Sequence, residues 1–161
     1  SLFAHVNEDE TGAPWNSRAA LAMDGAAQGD VRHLRDEHFT VDWLPGTRHA
    51  RSARLDVVDP SGRDHQVTWT PIAQFQMKGI GYGHPDWTHG GWKGELAVAR
   101  EDFRPDALDP LLLPHLHVQT LCTARHEGGG AASDGIGIVE QLVIGPHHPS
   151  GFVGLNDGAG S

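Results

Sequence analysis

Cysteine is nearly absent from this 161-residue chain, where Cys122 stands alone. An intramolecular disulfide is therefore impossible, and a cysteine-built zinc site is excluded. One thiol without a partner fits a reducing compartment, and the chain opens with no positively charged, apolar leader. The expectation is a cytoplasmic protein. Long apolar runs are missing as well. Nothing approaches the roughly 20 residues a spanning helix needs; residues 111–113, three leucines, are the longest candidate. No membrane span is expected. Positive charge is scarce: 12 Lys and Arg stand against 21 Asp and Glu, a formal net charge of −9. Arg48, Arg51 and Arg54 come closest to a basic cluster and are diluted by His49, Ala50, Ser52 and Ala53. That balance opposes a nucleic-acid backbone or an anionic membrane surface as partner. The chain also lacks Gly-x-Ser-x-Gly, the phosphate-cradling Gly-x-x-x-x-Gly-Lys-Ser/Thr and a dinucleotide fingerprint.

What is abundant is glycine, 21 residues, and histidine, 12 residues. The glycines are scattered and punctuate short segments, as in a β chain with many turns. Alternation with a period of two supports this. In residues 38–44, Phe39, Val41 and Trp43 share one face, the pattern of a half-buried strand. Residues 54–58 and 65–70 read as a hairpin around Asp59-Pro60-Ser61-Gly62, where proline presets φ and glycine tolerates positive φ. Further strands are expected over 2–6, 72–79, 92–100, 115–125 and 135–144. Residues 16–23 hold helix formers without a full amphipathic stripe, and 1–30 as a whole reads as irregular or edge strands. Prolines at 105, 110 and 114 allow only a short helical turn near 104–113. The length suits one domain, 1–161, and regularly spaced strands predict an all-β, antiparallel barrel or sandwich.

Three constellations carry potential chemistry. The first is His115-x-His117. On a strand, residues two apart project from one face, and neutral imidazoles bind divalent metals; His84, Asp86 and His89 are the natural further ligands. Against this, no carboxylate follows three or four residues later, where Thr120 and Leu121 stand, so a polar strand face continued by Gln119, Thr123 and Arg125 is the competing reading. The second is the stretch Gly79 to Gly94 (GIGYGHPDWTHGGWKG). His84 and Asp86 suit general acid–base work, while Tyr82, Trp87, His89 and Trp92 would shape an aromatic pocket. The plainer alternative is a bulged loop with solvated histidines. The third is Glu140, placed with Ile136, Ile138, Leu142 and Ile144 on one face of a strand that Val139 and Val143 make apolar on the other. A carboxylate on a covered face is desolvated unless paired, and Arg125 across a hairpin would be the structural partner. Cys122 reads as a buried small hydrophobe, and His147-His148, between prolines, as solvated.

The strings Phe75–Gly83 (FQMKGIGYG), His84-Pro85-Asp86-Trp87, Trp92-Lys93-Gly94-Glu95, Leu116-His117-Val118-Gln119 and Gln141-Leu142-Val143-Ile144-Gly145-Pro146 resemble an uncharacterised bacterial family. Its members carry two β-barrel-like halves, and it is distantly similar to the carotenoid 1,2-hydratase and lipocalin-like group. The resemblance runs from about Val31 to Ala159 and corresponds to a C-terminal half. It implies a lipocalin-like barrel that holds an apolar ligand in or between barrels, with acid–base residues acting on a double bond or a related centre.

These readings combine into one expectation. The chain is a β-barrel-like domain binding a terpenoid-, lipid- or polyketide-like molecule. Hydratase, isomerase or cyclase chemistry would fall to His84, Asp86, His117 and Glu140, with no cofactor. The alternatives are a divalent-metal enzyme using His115 and His117, and a non-catalytic module that assembles with a partner β domain or with a second copy of itself.

Overall fold

A computed structural model of the chain describes residues 1–22, 31–45, 47–78, 92–98, 102, 116–143 and 145–153. It is all-β. Seven strands follow in order: β1 (Leu2–Glu8), β2 (Pro14–Ala22), β3 (Val31–Trp43), β4 (Ala50–Val58), β5 (Asp64–Lys78), β6 (Leu116–Gly128) and β7 (Ala131–Val143). Each pairs antiparallel with the next, so spatial order equals sequence order in one sheet, and that sheet curls into a half-barrel. The one helical element among the described residues is a 3-10 turn at His148–Ser150. None of their helices is long and apolar enough to cross a membrane.

The curl has a local cause. β3 pairs with β2 through Val31 to Leu34 and with β4 from Arg35 onward, and the register slips between Arg35 and His38. Asp36 sits in that slip at φ 55°. Positive φ suits a short polar side chain better than a branched one, and a bulge bends and twists its strand. A second slip, at Ile72 in β5, lies between Pro71 and Ala73. One long bulged strand thus replaces the two expected over 65–70 and 72–79.

The concave face holds the core. Leu55 and Cys122 are fully buried, and Val57, Val67, Ala53, Ala19 and Leu34 pack with them around Trp69. Phe39 meets Trp69 edge-on, with centroids 6.2 Å apart. The alternation read in 38–44 is met here, since Phe39 and Val41 pack against this cluster. So is the reading of Cys122, whose Sγ donates to the Thr120 carbonyl. Gly137 is required beneath Trp69: a Cβ there would lie 2.6 Å from the indole Nε1.

Two hairpins close on the same turn chemistry. In the β1–β2 turn, Asp9 Oδ1 accepts from the Thr11 backbone N–H, the Thr11 hydroxyl and the Ala13 N–H. In the β4–β5 turn, Asp59 Oδ1 accepts from the Ser61 N–H, the Ser61 hydroxyl and the Arg63 N–H. Gly12 and Gly62 occupy equivalent left-handed positions, φ 82° and 83°. The repeated Asp-x-Ser/Thr-Gly pattern sets both turns by side-chain mimicry of backbone acceptors.

Three segments depart from expectation. Of the helix formers read over 16–23, residues 16–22 lie in β2, laddered on both sides, because pairing outweighs a weak intrinsic preference. Residues 92–98 form no strand and are exposed throughout, since alternation alone gives a strand no edge to pair with. Ser133 and Asp134, expected in a connection, lie in β7, and the turn narrows to Gly129-Gly130. The helical turn expected near 104–113 falls outside the described residues.

Candidate functional site

A cavity of about 750 Å³ lies in the concave face. Its apolar wall includes Phe39, Val41, Trp43, Val118, Val139 and Phe152, and it extends between the two edge strands, from Val6–Glu8 of β1 to Val139–Leu142 of β7. The sheet places these side chains by period: inward positions of β3, β6 and β7 alternate with outward ones.

The segment 145–153 forms one end of the cavity. It leaves β7 and is tied to the β1–β2 turn, where the His148 N–H donates to the Glu10 carbonyl at 2.8 Å. His147 and Phe152 exchange backbone hydrogen bonds, which folds the segment back on itself. Phe152 is thereby buried, and its ring lies 5.1 Å from that of Trp43, edge-on. The Arg48 guanidinium stacks 4.3 Å over Phe152 and donates to the Gly145 carbonyl. Arg48 is 1% exposed, a charge held in the wall of the cavity.

Polar groups converge beside these rings. The Trp43 indole N–H donates to Ser150 Oγ at 3.0 Å. Ser150 Oγ lies 2.8 Å from His147 Nδ1, and His147 Nε2 lies 3.0 Å from Glu8 Oε2. The last contact is close, although the ring N–H is not aimed squarely at the carboxylate. His147, read from the sequence as solvated, is therefore packed into a network at the cavity wall. The fold of the tail, which proline spacing does not reveal, puts it there.

His117 and Glu140 are brought together. They are diagonal neighbours on the outer face, His117 standing opposite Leu142 and Glu140 opposite Gln119. His117 Nε2 meets Glu140 Oε1. Such a couple can hold and pass a proton. Glu140 also borders the cavity along the β7 edge. Among the described residues the expected cover on the outer face of β7 is not present: Ile136 is 77% and Ile138 62% exposed. Nothing among the described residues packs on this face, and the Glu140 side chain is 56% exposed. Arg125 pairs with Glu127 and Asp134 instead. Trp92 is exposed and is not among the cavity-lining residues. Tyr82, His84, Asp86, Trp87, His89 and His115 lie outside the described residues. Among those described, no group of three or more His, Cys, Asp or Glu gathers to hold a metal ion.

A second polar cluster sits where the β4–β5 turn meets the end of β6. His65 Nε2 is 3.4 Å from Asp59 Oδ2, and His65 Nδ1 is 3.0 Å from His126 Nε2. The Ser61 hydroxyl, the Arg63 N–H and His65 hold the Asp59 carboxyl far below the usual carboxylate range. Burial, then the charge of His65, lowers His126.

Residues 1–153 match the model of a family of unknown function, DUF8625. The chain belongs to this family. No curated protein and no solved structure matches it. In this DUF8625 member the match takes in all seven strands and the tail through Phe152, so the cavity and its Glu8–His147–Ser150 corner lie within the family region.

The residues missed from sequence are Arg48, Trp43, His147, Ser150 and Phe152. Trp43 showed its inward face through alternation. Nothing in the spacing of the others marks them, because the connection that holds Arg48 and the tail that holds the rest are non-repetitive and carry no period.

Proposed function

We propose that the protein binds an apolar or amphipathic small molecule, of terpenoid, lipid or polyketide character, in the concave cavity. One observation carries the reading. The half-barrel holds an open cleft of about 750 Å³, inside the roughly 300–1,000 Å³ usual for small-molecule sites, with an aromatic and aliphatic wall and polar groups that include Arg48, His147 and Ser150 at one end. The apolar wall suits a hydrocarbon body, and the Arg48, His147 and Ser150 end suits a polar head. Titration with a fluorescent fatty acid, read by its emission and by quenching of tryptophan, tests this. Saturable one-to-one binding, displaced by unlabelled apolar ligands, is the expected result. Emission that rises linearly without saturating sinks the idea.

A second reading has its own support. The outer face of β7 exposes Ile136, Ile138 and Leu142 in a row along an edge strand. An exposed apolar edge is a template for another chain, which favours assembly with a partner β domain or a second copy. Light scattering across a concentration series tests it: a constant monomer mass with and without a candidate partner ends this reading.

A further inference from the structure

The geometry points to an acyl-transfer site at Ser150, with His147 as its base and Glu8 as the residue that positions the base. This inference rests on the cavity reading above and adds a reaction to it. The substrate class is a carboxylic ester whose apolar portion lies along the Trp43 and Phe152 wall.

The two hydrogen bonds at Ser150 are consistent in direction. The Trp43 indole has only a donor, so Ser150 Oγ accepts from it at 3.0 Å. The Ser150 hydroxyl proton is then free to point at His147 Nδ1, 2.8 Å away. That assignment requires the tautomer with its proton on Nε2, which lies 3.0 Å from Glu8 Oε2 with its N–H turned off the carboxylate, so a small rotation of either side chain aligns them. A hydroxyl, an imidazole and a carboxylate in series is the arrangement that activates a serine nucleophile. The two ring nitrogens are used in the opposite sense from the serine protease arrangement, where Nε2 meets the serine. Either nitrogen of a neutral imidazole serves as the acceptor.

All four side chains line the cavity. Ser150 ends a 3-10 turn, and Gly151 follows in the left-handed region, φ 74°, so the chain reverses immediately after the hydroxyl. In the first step Ser150 Oγ bonds to the ester carbonyl carbon while its proton passes to His147 Nδ1. The carbon–oxygen bond to the leaving alcohol then breaks, and that alcohol takes the proton from His147. Water, deprotonated by His147, then attacks the acyl carbon; the bond from that carbon to Ser150 Oγ breaks, Oγ takes the proton back from His147, and the acid leaves. The indole N–H, donating to Oγ, stabilises the negative charge that builds there as the proton leaves. Arg48, over Phe152 in the same wall, adds positive potential to this end of the cavity.

The test uses the full chain. A fluorophosphonate probe is added and the adduct located by peptide mass mapping, alongside turnover of p-nitrophenyl butyrate. A single adduct on Ser150, with turnover that Ser150→Ala abolishes, is expected. His147→Gln should lower kcat by about a hundred-fold or more, the usual worth of a general base. Glu8→Gln should lower kcat while KM holds, a split that general loosening of the tail would not give. Mapping on the wild-type protein does not depend on how any variant folds. An adduct elsewhere, no adduct, or wild-type turnover in Ser150→Ala overturns the proposal. If the wild type binds the fluorescent fatty acid yet takes no adduct, acyl transfer falls and the binding reading stands; if it neither binds nor reacts, both fall.

Discussion

The imidazoles of His65 and His126 stack with centroids 5.3 Å apart and planes within 11°, and one hydrogen bond joins them. That bond needs one ring to donate and the other to accept, so a second proton on the pair breaks it. Burial, then His65, lowers the pKa of His126, and burial alone lowers that of His49. Both groups bind protons more readily in the unfolded chain, whose ordinary value is 6.5. Their contribution is therefore present above that value and lost as pH falls through it. The urea midpoint should be lower at pH 5 than at pH 7.5, and His126→Gln should flatten the slope. A midpoint that stays level or rises on acidification contradicts this. Asp59, with its depressed pKa, adds stability that disappears only in stronger acid, below the ordinary carboxylate value of 3.8, so the two windows are separable.

Gly12 and Gly62 offer a matched pair. Both sit at nearly the same positive φ in the same turn type. A Cβ at Gly62 meets nothing within 4 Å, whereas one at Gly12 would lie 2.6 Å from Pro149 Cγ. Gly62→Ala should cost about 1–2 kcal/mol, the usual penalty of the left-handed region. Gly12→Ala should cost more and also loosen residues 145–153 from the β1–β2 turn. Denaturant melts and hydrogen exchange at Phe152 measure the difference; equal costs would remove the tail contact from the account.

Leu55 is fully buried in the core. Leu55→Ala should destabilise by about 2–5 kcal/mol through lost transfer energy and a residual cavity, measured by urea unfolding. Gly137→Ala tests the same layer by overpacking, because the added methyl must displace the Trp69 indole. A cost of about 1–3 kcal/mol is expected, with a change in the near-ultraviolet signal of tryptophan.

Ligand binding should respond to the cavity wall and ignore the outer face. Val41→Trp fills the space beside Phe39 and Trp43 and should weaken fatty-acid binding at least about ten-fold, the equivalent of roughly 1.4 kcal/mol. Ile136→Lys, on the outer face, should leave affinity unchanged. Isothermal titration distinguishes them, and equal affinities across all three proteins would remove the cavity as the site.

Much of the fold was legible because a strand writes its burial into every second residue. Phe39, Val41 and Trp43 declared the inward face of β3, and Asp59-Pro60-Ser61-Gly62 declared a turn. The equivalent turn at Asp9 was visible only as polar sequence, since its shared chemistry needs the aspartate acceptor to be seen. β2 was hard to read because Ala19, Ala20, Leu21 and Ala22 satisfy helix and strand alike, and only its two neighbours decide. The site was less legible. His117 and Glu140 were picked separately, and register, which spacing does not give, makes them partners. Arg48 looked like a diluted surface cation, yet it lies under the ring of Phe152, a contact between residues about a hundred positions apart that no local pattern records.

The number of strands has a consequence for entry to the cavity. With seven strands among the described residues, each antiparallel to the next, β1 and β7 run in the same direction. An antiparallel ladder between them is impossible, so the two edges that border the cavity cannot zip together in the manner of their neighbours. The opening is then a matter of parity. Among the described residues the cavity opens along the seam between β1 and β7, and either a parallel ladder between these two edges or an eighth strand antiparallel to both would be needed to complete the circuit.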